Sequence, residues 1–256
     1  GIAGAAIASS VSEAVSLLFF IIYTSMTADK RKYGFRRAFT LRPHLLKGML
    51  SMSGWTMVQS FISVSIWFIF FLAIEHLGER PLAVTNIVRN ISALLIMVIS
   101  AFATTAGALI SNQIGAGEQR CLFKTCGMTL KLTYAILLPL LIILCLFPEF
   151  VLRAFTDSPS LIAASVNSVY VMASSTLIMA PSFILFNAVS GTGNTKAGFI
   201  MEMISLAVYT AVIYYGIIRF KPDVALCWFS EHVYGVTLII LAWWYLKSGK
   251  WRGKKV

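Results

Sequence analysis

Ionisable and amide side chains are rare within the long apolar stretches of this chain, and those that occur there are the residues most able to do chemistry. A charge near the middle of a membrane costs about 2.5–3.5 kcal/mol on insertion scales, so such side chains face a helix bundle or a wet cavity. In that setting carboxyl and amide groups bind ions or substrates and relay protons. The candidates for contact with a substrate or a coupling ion are Glu13, Gln59, Asn86, Arg89, Asn90, Asn187, Glu202 and Glu231.

An ion pair is expected between Arg89 and Glu231. Counted at about 1.5 Å per helical residue, both side chains lie roughly 10–12 Å below the outer surface of the hydrocarbon. Asn86, Arg89 and Asn90 follow one another at i, i+3 and i+4, so they share one helix face. The pair either fixes helix packing or takes part in coupling or substrate contact, and the sequence leaves both interpretations open.

Two further acids lie within apolar stretches, Glu13 near the middle of the first and Glu202 toward the inner end of the sixth. Each is a candidate proton carrier, because intramembrane carboxyl groups serve in proton relays. For Glu202 the alternative is a structural ion pair with Lys131, which enters the membrane from the same side.

Two glycine-rich segments are predicted to form tight turns between helices. Positive φ angles are accessible to glycine at little steric cost, which makes Gly115, Gly117, Gly191 and Gly193 the candidate turn residues. The second segment lacks the GxxxxGK[ST] spacing of a phosphate-binding loop and follows a membrane helix, so nucleotide binding is not expected. Asn194 or Thr195 should cap the helix that follows.

The elements that position these residues are seven apolar stretches, each long enough to cross a bilayer as a helix. A hydrocarbon core of roughly 30 Å needs about 20 helical residues. Because only helices or closed barrels satisfy backbone groups in lipid, and period-two alternation is absent, the sequence predicts an all-α polytopic transmembrane bundle. Pro139 and Pro181 lie inside the fourth and fifth stretches, where each should bend its helix and free a carbonyl, giving either bundle curvature or a hinge. The predicted spans are 1–25, 45–74, 83–110, 121–147, 160–188, 197–218 and 223–246.

The basic residues set the orientation of this bundle. The net charge is +11, and 15 of the 21 Lys and Arg residues fall at 30–47, 120–124, 196 and 247–255. Gaps rich in Lys and Arg stay in the cytoplasm, so Gly1 is predicted outside and the basic tail inside. This distribution accounts for the charge without nucleic-acid binding, which is not expected.

Neither an enzyme nor a cofactor is predicted. The three histidines, His44, His76 and His232, are scattered, and no Ser/His/Asp or Cys/His arrangement is legible. The four cysteines have no paired spacing, which argues against a metal site or a disulfide.

Four segments, in order, resemble the multidrug and toxic compound extrusion (MATE) family of transporters. They are GIAGAAIAS at 1–9, ALISNQIGAG at 108–117, NAVSGTGNTK at 187–196 and WFSEHVY at 228–234. The third is similar to the family's "RGTGDTK"-like loop and is the most specific. The resemblance covers essentially the whole chain.

The resemblance implies a place for this chain in a twelve-span fold of two six-helix lobes. Residues 1–25 match the sixth span, at the end of a first lobe that is missing here, and 26–44 match the basic cytoplasmic linker between the lobes. Residues 45–246 match the six-helix second lobe, and 247–256 form a basic cytoplasmic tail. The first residue is not Met and is predicted outside without a signal peptide, so we expect an earlier segment.

The function implied by the resemblance is secondary active antiport, with efflux of drugs or organic cations driven by H⁺ or Na⁺. The implied setting is the plasma (inner) membrane of a bacterium, and the implied partners are the substrate, the lipid bilayer and the first lobe. Some members carry a cation-binding acid in the seventh span, but span 45–74 here has only Gln59 until Glu75. A coupling acid would then be Glu202 or Glu231, or lie in the missing lobe.

Two alternatives remain. A lipid-linked saccharide flippase of the same superfamily should show a more cationic cavity than a single Arg89 provides. A seven-helix receptor with an external N-terminus also fits the span count. A retinal protein would need a lysine midway along the last span, where the only one is Lys247 at the inner boundary.

Overall fold

The computed structural model describes residues 2–27, 43–249 and 251, and every regular element in that part of the chain is a helix. Most of the predicted basic linker and most of the predicted basic tail lie outside the described residues. The chain divides into two compact units, residues 1–50 and 51–256. The candidate site belongs to the second unit.

From α2 onward the helices follow one another with short connections. Two of them adjoin a segment with different helical geometry. A 3-10 turn at Gln119–Cys121 precedes α4, and a π-helical segment at Ile213–Arg219 follows α7. The helices are α1 (Ile2–Thr27), α2 (Pro43–Glu75), α3 (Glu79–Gly115), α4 (Leu122–Leu146), α5 (Pro148–Arg153), α6 (Pro159–Gly191), α7 (Thr195–Val212), α8 (Val224–Cys227) and α9 (Ser230–Ser248).

Among the residues that the structure describes, seven helical spans are long and apolar enough to cross a membrane, which confirms the predicted all-α polytopic bundle. Each overlaps one predicted stretch, and several extend further because a helix continues past the hydrocarbon edge as long as its backbone bonds are made. The spans are Ala6–Thr27, Ser53–Glu75, Glu79–Gly115, Gln119–Leu146, Pro159–Gly191, Thr195–Arg219 and Val224–Ser248.

Helices α3 and α6 form the central packed pair of the second unit, and their backbones touch at two glycines. A Cβ atom on Gly191 would lie 2.5 Å from the Gly107 carbonyl oxygen, and one on Gly107 would lie 2.9 Å from the Asn187 carbonyl oxygen. Small residues allow such close approach of membrane helices. Gly191 is therefore a packing residue at the end of α6.

The predicted glycine turns are correct at two of the four positions. Gly117 has a φ of 81° and Gly193 a φ of 77°, the left-handed conformation that favours glycine. Gly115 and Gly191 instead end α3 and α6 as helical residues, so the prediction of a turn conformation there was wrong. Asn194 provides the predicted cap, because its Oδ1 accepts from the Ala197 amide at 3.2 Å.

Candidate functional site

A pocket of about 260 Å³ lies among α2, α3, α6, α7 and α9 of the second unit. Its walls are aliphatic and aromatic, with two carboxylates and three hydroxyl groups among them and no basic side chain in the lining. The lining residues are Ser63, Val64, Trp67, Ile96, Met179, Phe183, Glu202, Leu206, Tyr209, Glu231 and Tyr234.

Glu202, on α7, is only 4% exposed and accepts hydrogen bonds on both carboxylate oxygens. The Ser63 hydroxyl of α2 donates to Oε1 at 2.8 Å, and the Tyr234 hydroxyl of α9 lies 2.9 Å from Oε1 and 3.1 Å from Oε2. The Ser63 Oγ atom also lies 3.0 Å from the Gln59 carbonyl oxygen. Because a hydroxyl carries one proton, Ser63 can donate to Glu202 or to Gln59 but not fully to both.

Glu231 lies in the first turn of α9, where the exposed amides of a helix N-terminus favour a negative charge. Its Oε1 accepts from the Tyr209 hydroxyl at 2.8 Å. Its Oε2 accepts no hydrogen bond from the described residues. Glu231 therefore keeps one carboxylate oxygen available at the wall of the pocket.

The two carboxylates are held by a crossed arrangement of α7 and α9. Helix α7 carries Glu202 and Tyr209 seven residues apart, and α9 carries Glu231 and Tyr234 three residues apart, so each helix turns both groups to one face. Each tyrosine donates to the acid of the other helix, and the two rings pack edge to face with centroids 5.8 Å apart. The arrangement ties α7 to α9 through both acids.

The predicted ion pair between Arg89 and Glu231 was wrong. The Arg89 guanidinium lies over the rings of Phe71, at 5.3 Å, and Trp67, at 5.8 Å, and its buried Nε has no partner among the described residues. Equal depth gives the position of a residue along the membrane normal, but it does not say which neighbouring helix the side chain faces. Helix α3 packs chiefly against α6 and α4, whereas α9 packs chiefly against α6 and α7, so equal depth did not bring the two side chains together.

The other predicted site residues do not join the two acids. Asn86 and Asn187 each donate to a carbonyl four residues back in their own helix, at 3.1 Å and 2.9 Å, which is a local bond. Asn90 is exposed, and Gln59 contributes its carbonyl to Ser63. Glu13 belongs to the first unit and is exposed on α1.

The alternative partner for Glu202 was Lys131, which is exposed on α4 and makes no ion pair in the described part of the chain. Three residues of this candidate site were absent from the prediction, namely Ser63, Tyr209 and Tyr234. The signal for the two tyrosines was their helical spacing from an intramembrane acid, whereas no comparable signal in the sequence pointed to Ser63. Among the residues the structure describes, no group of three or more His, Cys, Asp or Glu side chains could hold a metal ion.

Solved structures with the same fold are membrane transporters. The bent form of the Vibrio cholerae MATE transporter VcmN is 17% identical, with a TM-score of 0.72 over 83% of this chain and 50% of that chain. A MOP superfamily transporter from Pyrococcus furiosus, described as having a binding pocket of reverse polarity, is 13% identical, with a TM-score of 0.69 over 78% of this chain and 44% of that one. An outward-facing multidrug resistance MATE family transporter is 13% identical, with a TM-score of 0.70 over 80% and 46%. This chain therefore spans about half the length of the structures it matches.

Sequence comparison places the chain in a family. No curated protein sequence matches it. The MatE family model matches residues 56–215, which is more than half of the chain and includes Ser63, Glu202 and Tyr209. Seven apolar helices, the shared fold and this match lead to one conclusion: the chain belongs to the MatE family of integral membrane transporters.

Proposed function

We propose that this chain is the sixth span and the second lobe of a twelve-span antiporter that exports organic cations, including drugs, in exchange for H⁺ or Na⁺. Its setting would be the inner membrane of a bacterium, with a first lobe completing the cavity. Glu202 and Glu231 would bind the coupling ion and the positive charge of the substrate. The observation that carries this proposal is that both acids line one apolar pocket whose lining contains no basic side chain.

The chemistry of the pocket suits a cationic, partly aromatic substrate. Two carboxylates supply negative charge in a poorly solvated site, and the rings of Tyr209 and Tyr234 in the lining can attract a cation through their π-electrons. A substrate cation and a coupling cation would then compete for the same carboxylates. Mutually exclusive binding to one site gives the negative coupling that exchange requires, because each ligand lowers the affinity for the other.

Ser63 allows Glu202 to change its charge without leaving a buried group unpaired. When the carboxylate is ionised, the Ser63 hydroxyl donates to it at 2.8 Å. When Glu202 holds a proton, Glu202 can donate to Ser63 Oγ while the Ser63 proton turns to the Gln59 carbonyl, 3.0 Å away. Since an unsatisfied buried polar group costs about 1–3 kcal/mol, this second acceptor makes the neutral form accessible.

The two acids are unequal in their surroundings. Both oxygens of Glu202 accept hydrogen bonds, whereas Oε2 of Glu231 has none among the described residues. Glu231 is therefore the acid better placed to contact the substrate, and Glu202 the acid better placed to exchange the coupling ion.

The alternative of a saccharide-lipid flippase fits this pocket less well. A pyrophosphate substrate calls for arginine or lysine side chains that can form charge-assisted hydrogen bonds. Arg89 was the cationic candidate from the sequence, but it lies on the Phe71 and Trp67 rings and is not among the described lining residues of the pocket. The polarity of the described pocket favours a cationic substrate over a polyanionic one.

The test is transport of tetraphenylphosphonium, an organic cation, by the complete twelve-span transporter reconstituted in liposomes. An imposed H⁺ gradient or Na⁺ gradient should drive exchange, and which of them does so identifies the coupling ion. Glu202→Gln and Glu231→Gln should each abolish gradient-driven exchange. Glu149→Gln, at an exposed acid in α5 outside the pocket, is the matched control and should transport normally. Full exchange by the Glu202→Gln/Glu231→Gln double variant would refute the proposal.

A further inference from the structure

Helix α6 contains a break in its backbone hydrogen bonding beside the pocket. Pro181 lies inside the helix and has no amide hydrogen, so the carbonyl four residues earlier, that of Leu177, loses its partner within the helix. In a membrane such a carbonyl cannot turn to bulk water and costs several kcal/mol if left unpaired. A hydrogen-bond donor from another helix would therefore stabilise the Leu177 carbonyl.

That donor is the hydroxyl of Tyr134 on the neighbouring helix α4. Tyr134 Oη donates to the Leu177 carbonyl oxygen at 2.7 Å, the usual length of an O–H···O hydrogen bond, and so joins the two helices. The Tyr134 ring packs against the buried core next to α6, which fixes the direction of its hydroxyl. The freed carbonyl is thus satisfied by a side chain from outside its helix.

The other proline within a helix shows that this arrangement is not general. Pro139 lies inside α4, and the carbonyl four residues earlier belongs to Ala135. No side chain among the described residues donates to the Ala135 carbonyl. Neither Ala135 nor Pro139 lines the carboxylate pocket, whereas Met179 and Phe183, on either side of the break in α6, do.

The residues on either side of Pro181 form one wall of the carboxylate pocket. Met179 and Phe183 both line it, together with Glu202 and Glu231. Helix α9 packs closely against this part of α6, because a Cβ atom on Gly235 of α9 would lie 2.9 Å from Ile178 Cγ2 of α6. Gly235 directly follows Tyr234, which donates to Glu202. A change in the bend of α6 would therefore move both the wall and the helix that carries Tyr234.

We propose that Tyr134 is a positioning residue for the carboxylate site: its hydroxyl holds α6 at the Pro181 break and so sets the distance between the Met179–Phe183 wall and the two acids. The inference rests on the proposed function for the role of the acids. The attachment of α6 to α4 through Tyr134, which we call the latch, rests only on the Tyr134–Leu177 hydrogen bond and on Pro181. Tyr134 does not line the pocket and acts on it through α6.

The first test is a double-mutant cycle between Tyr134→Phe and Pro181→Ala in the complete transporter, read by hydrogen–deuterium exchange of α6. Tyr134→Phe alone should speed exchange of the amides around 177–185, since the break loses its only described external bond. In the Pro181→Ala background the new amide at 181 can bond the Leu177 carbonyl, so Tyr134→Phe should have no further effect. Equal acceleration in both backgrounds, or none in either, would overturn the latch.

The second readout is the affinity for tetraphenylphosphonium as a function of pH, which a purely structural role would not change. Loss of one hydrogen bond should weaken binding by about two- to tenfold for Tyr134→Phe, and by much less when Pro181→Ala is present. Tyr170→Phe is the matched control, because its hydroxyl makes only a long contact, 3.5 Å, with the Cys145 carbonyl. Faster exchange in α6 with unchanged affinity and pH profile would overturn the positioning role.

The two proposals fail in distinguishable ways. If the unmodified transporter and Glu231→Gln bind tetraphenylphosphonium equally, the proposed function is refuted while the exchange cycle still decides on the latch. If Glu231→Gln loses binding but the Tyr134→Phe cycle is additive, the proposed function stands and the latch is refuted.

Discussion

Removal of the Tyr209 hydroxyl should destabilise the protein through Glu231. Tyr209 is 3% exposed, and the Tyr209→Phe variant keeps the ring contacts with Phe70 and Tyr234 while removing the 2.8 Å bond to Glu231 Oε1. Hydrogen bonds to charged groups contribute about 1.5–3 kcal/mol, so the free energy of unfolding should fall by about 2 kcal/mol. Equilibrium unfolding of the purified protein in detergent–SDS mixtures measures this difference.

A double-mutant cycle separates the hydrogen bond from the ring. In a Glu231→Gln background the acceptor is neutral, so Tyr209→Phe should cost only about 0.5–1.5 kcal/mol there, and the two changes should be non-additive. Tyr214→Phe is the control, because Tyr214 is exposed and its hydroxyl makes no hydrogen bond among the described residues. An additive cycle, or an equal loss in Tyr214→Phe, would refute the crossed arrangement of α7 and α9.

Three further predictions follow from the packing and the charges. Gly191→Ala should cost about 1–3 kcal/mol or more of unfolding free energy because its Cβ would overlap a backbone oxygen, whereas Gly127→Ala, with nothing within 4 Å, should be neutral or stabilising. Arg89→Met should change the unfolding free energy by about 1 kcal/mol or less, since it removes a cation held by two rings and paired with no acid in the described chain; a loss near 4 kcal/mol would indicate a buried ion pair. A cysteine at Arg80 should react with an impermeant thiol reagent added to intact cells and one at Gly193 should not, and the opposite pattern would reverse the predicted orientation.

The architecture of this chain was predictable because it depends on local composition. A span requires only a sufficiently long run of apolar residues, and this property does not depend on which helices pack around it. All seven described spans were therefore located. The turn at Gly193 and the cap at Asn194 were likewise set by residues within a few positions. Gly191 was misread because its constraint comes from Gly107, more than 80 residues away in the sequence.

The partners within the site were not predictable in the same way. Helix rise placed Arg89 and Glu231 at one depth, but which faces meet depends on how α3, α6 and α9 pack. From the sequence we also considered an ion pair with a basic residue for each acid, whereas in the structure both acids accept hydrogen bonds from hydroxyl groups. Serine and tyrosine are easily passed over in an apolar stretch, because they are neutral and inexpensive to bury when hydrogen-bonded.

The single proton of Ser63 has a consequence for the speed of transport. A hydroxyl group in a side chain reorients within picoseconds to nanoseconds, whereas rearrangements of membrane-spanning helices take microseconds to milliseconds. If Glu202 exchanges the coupling ion as proposed, the local response to that exchange is completed long before the protein changes conformation. The acid would then be in equilibrium with whichever side of the membrane it faces, and the turnover rate would report the motion of the helices.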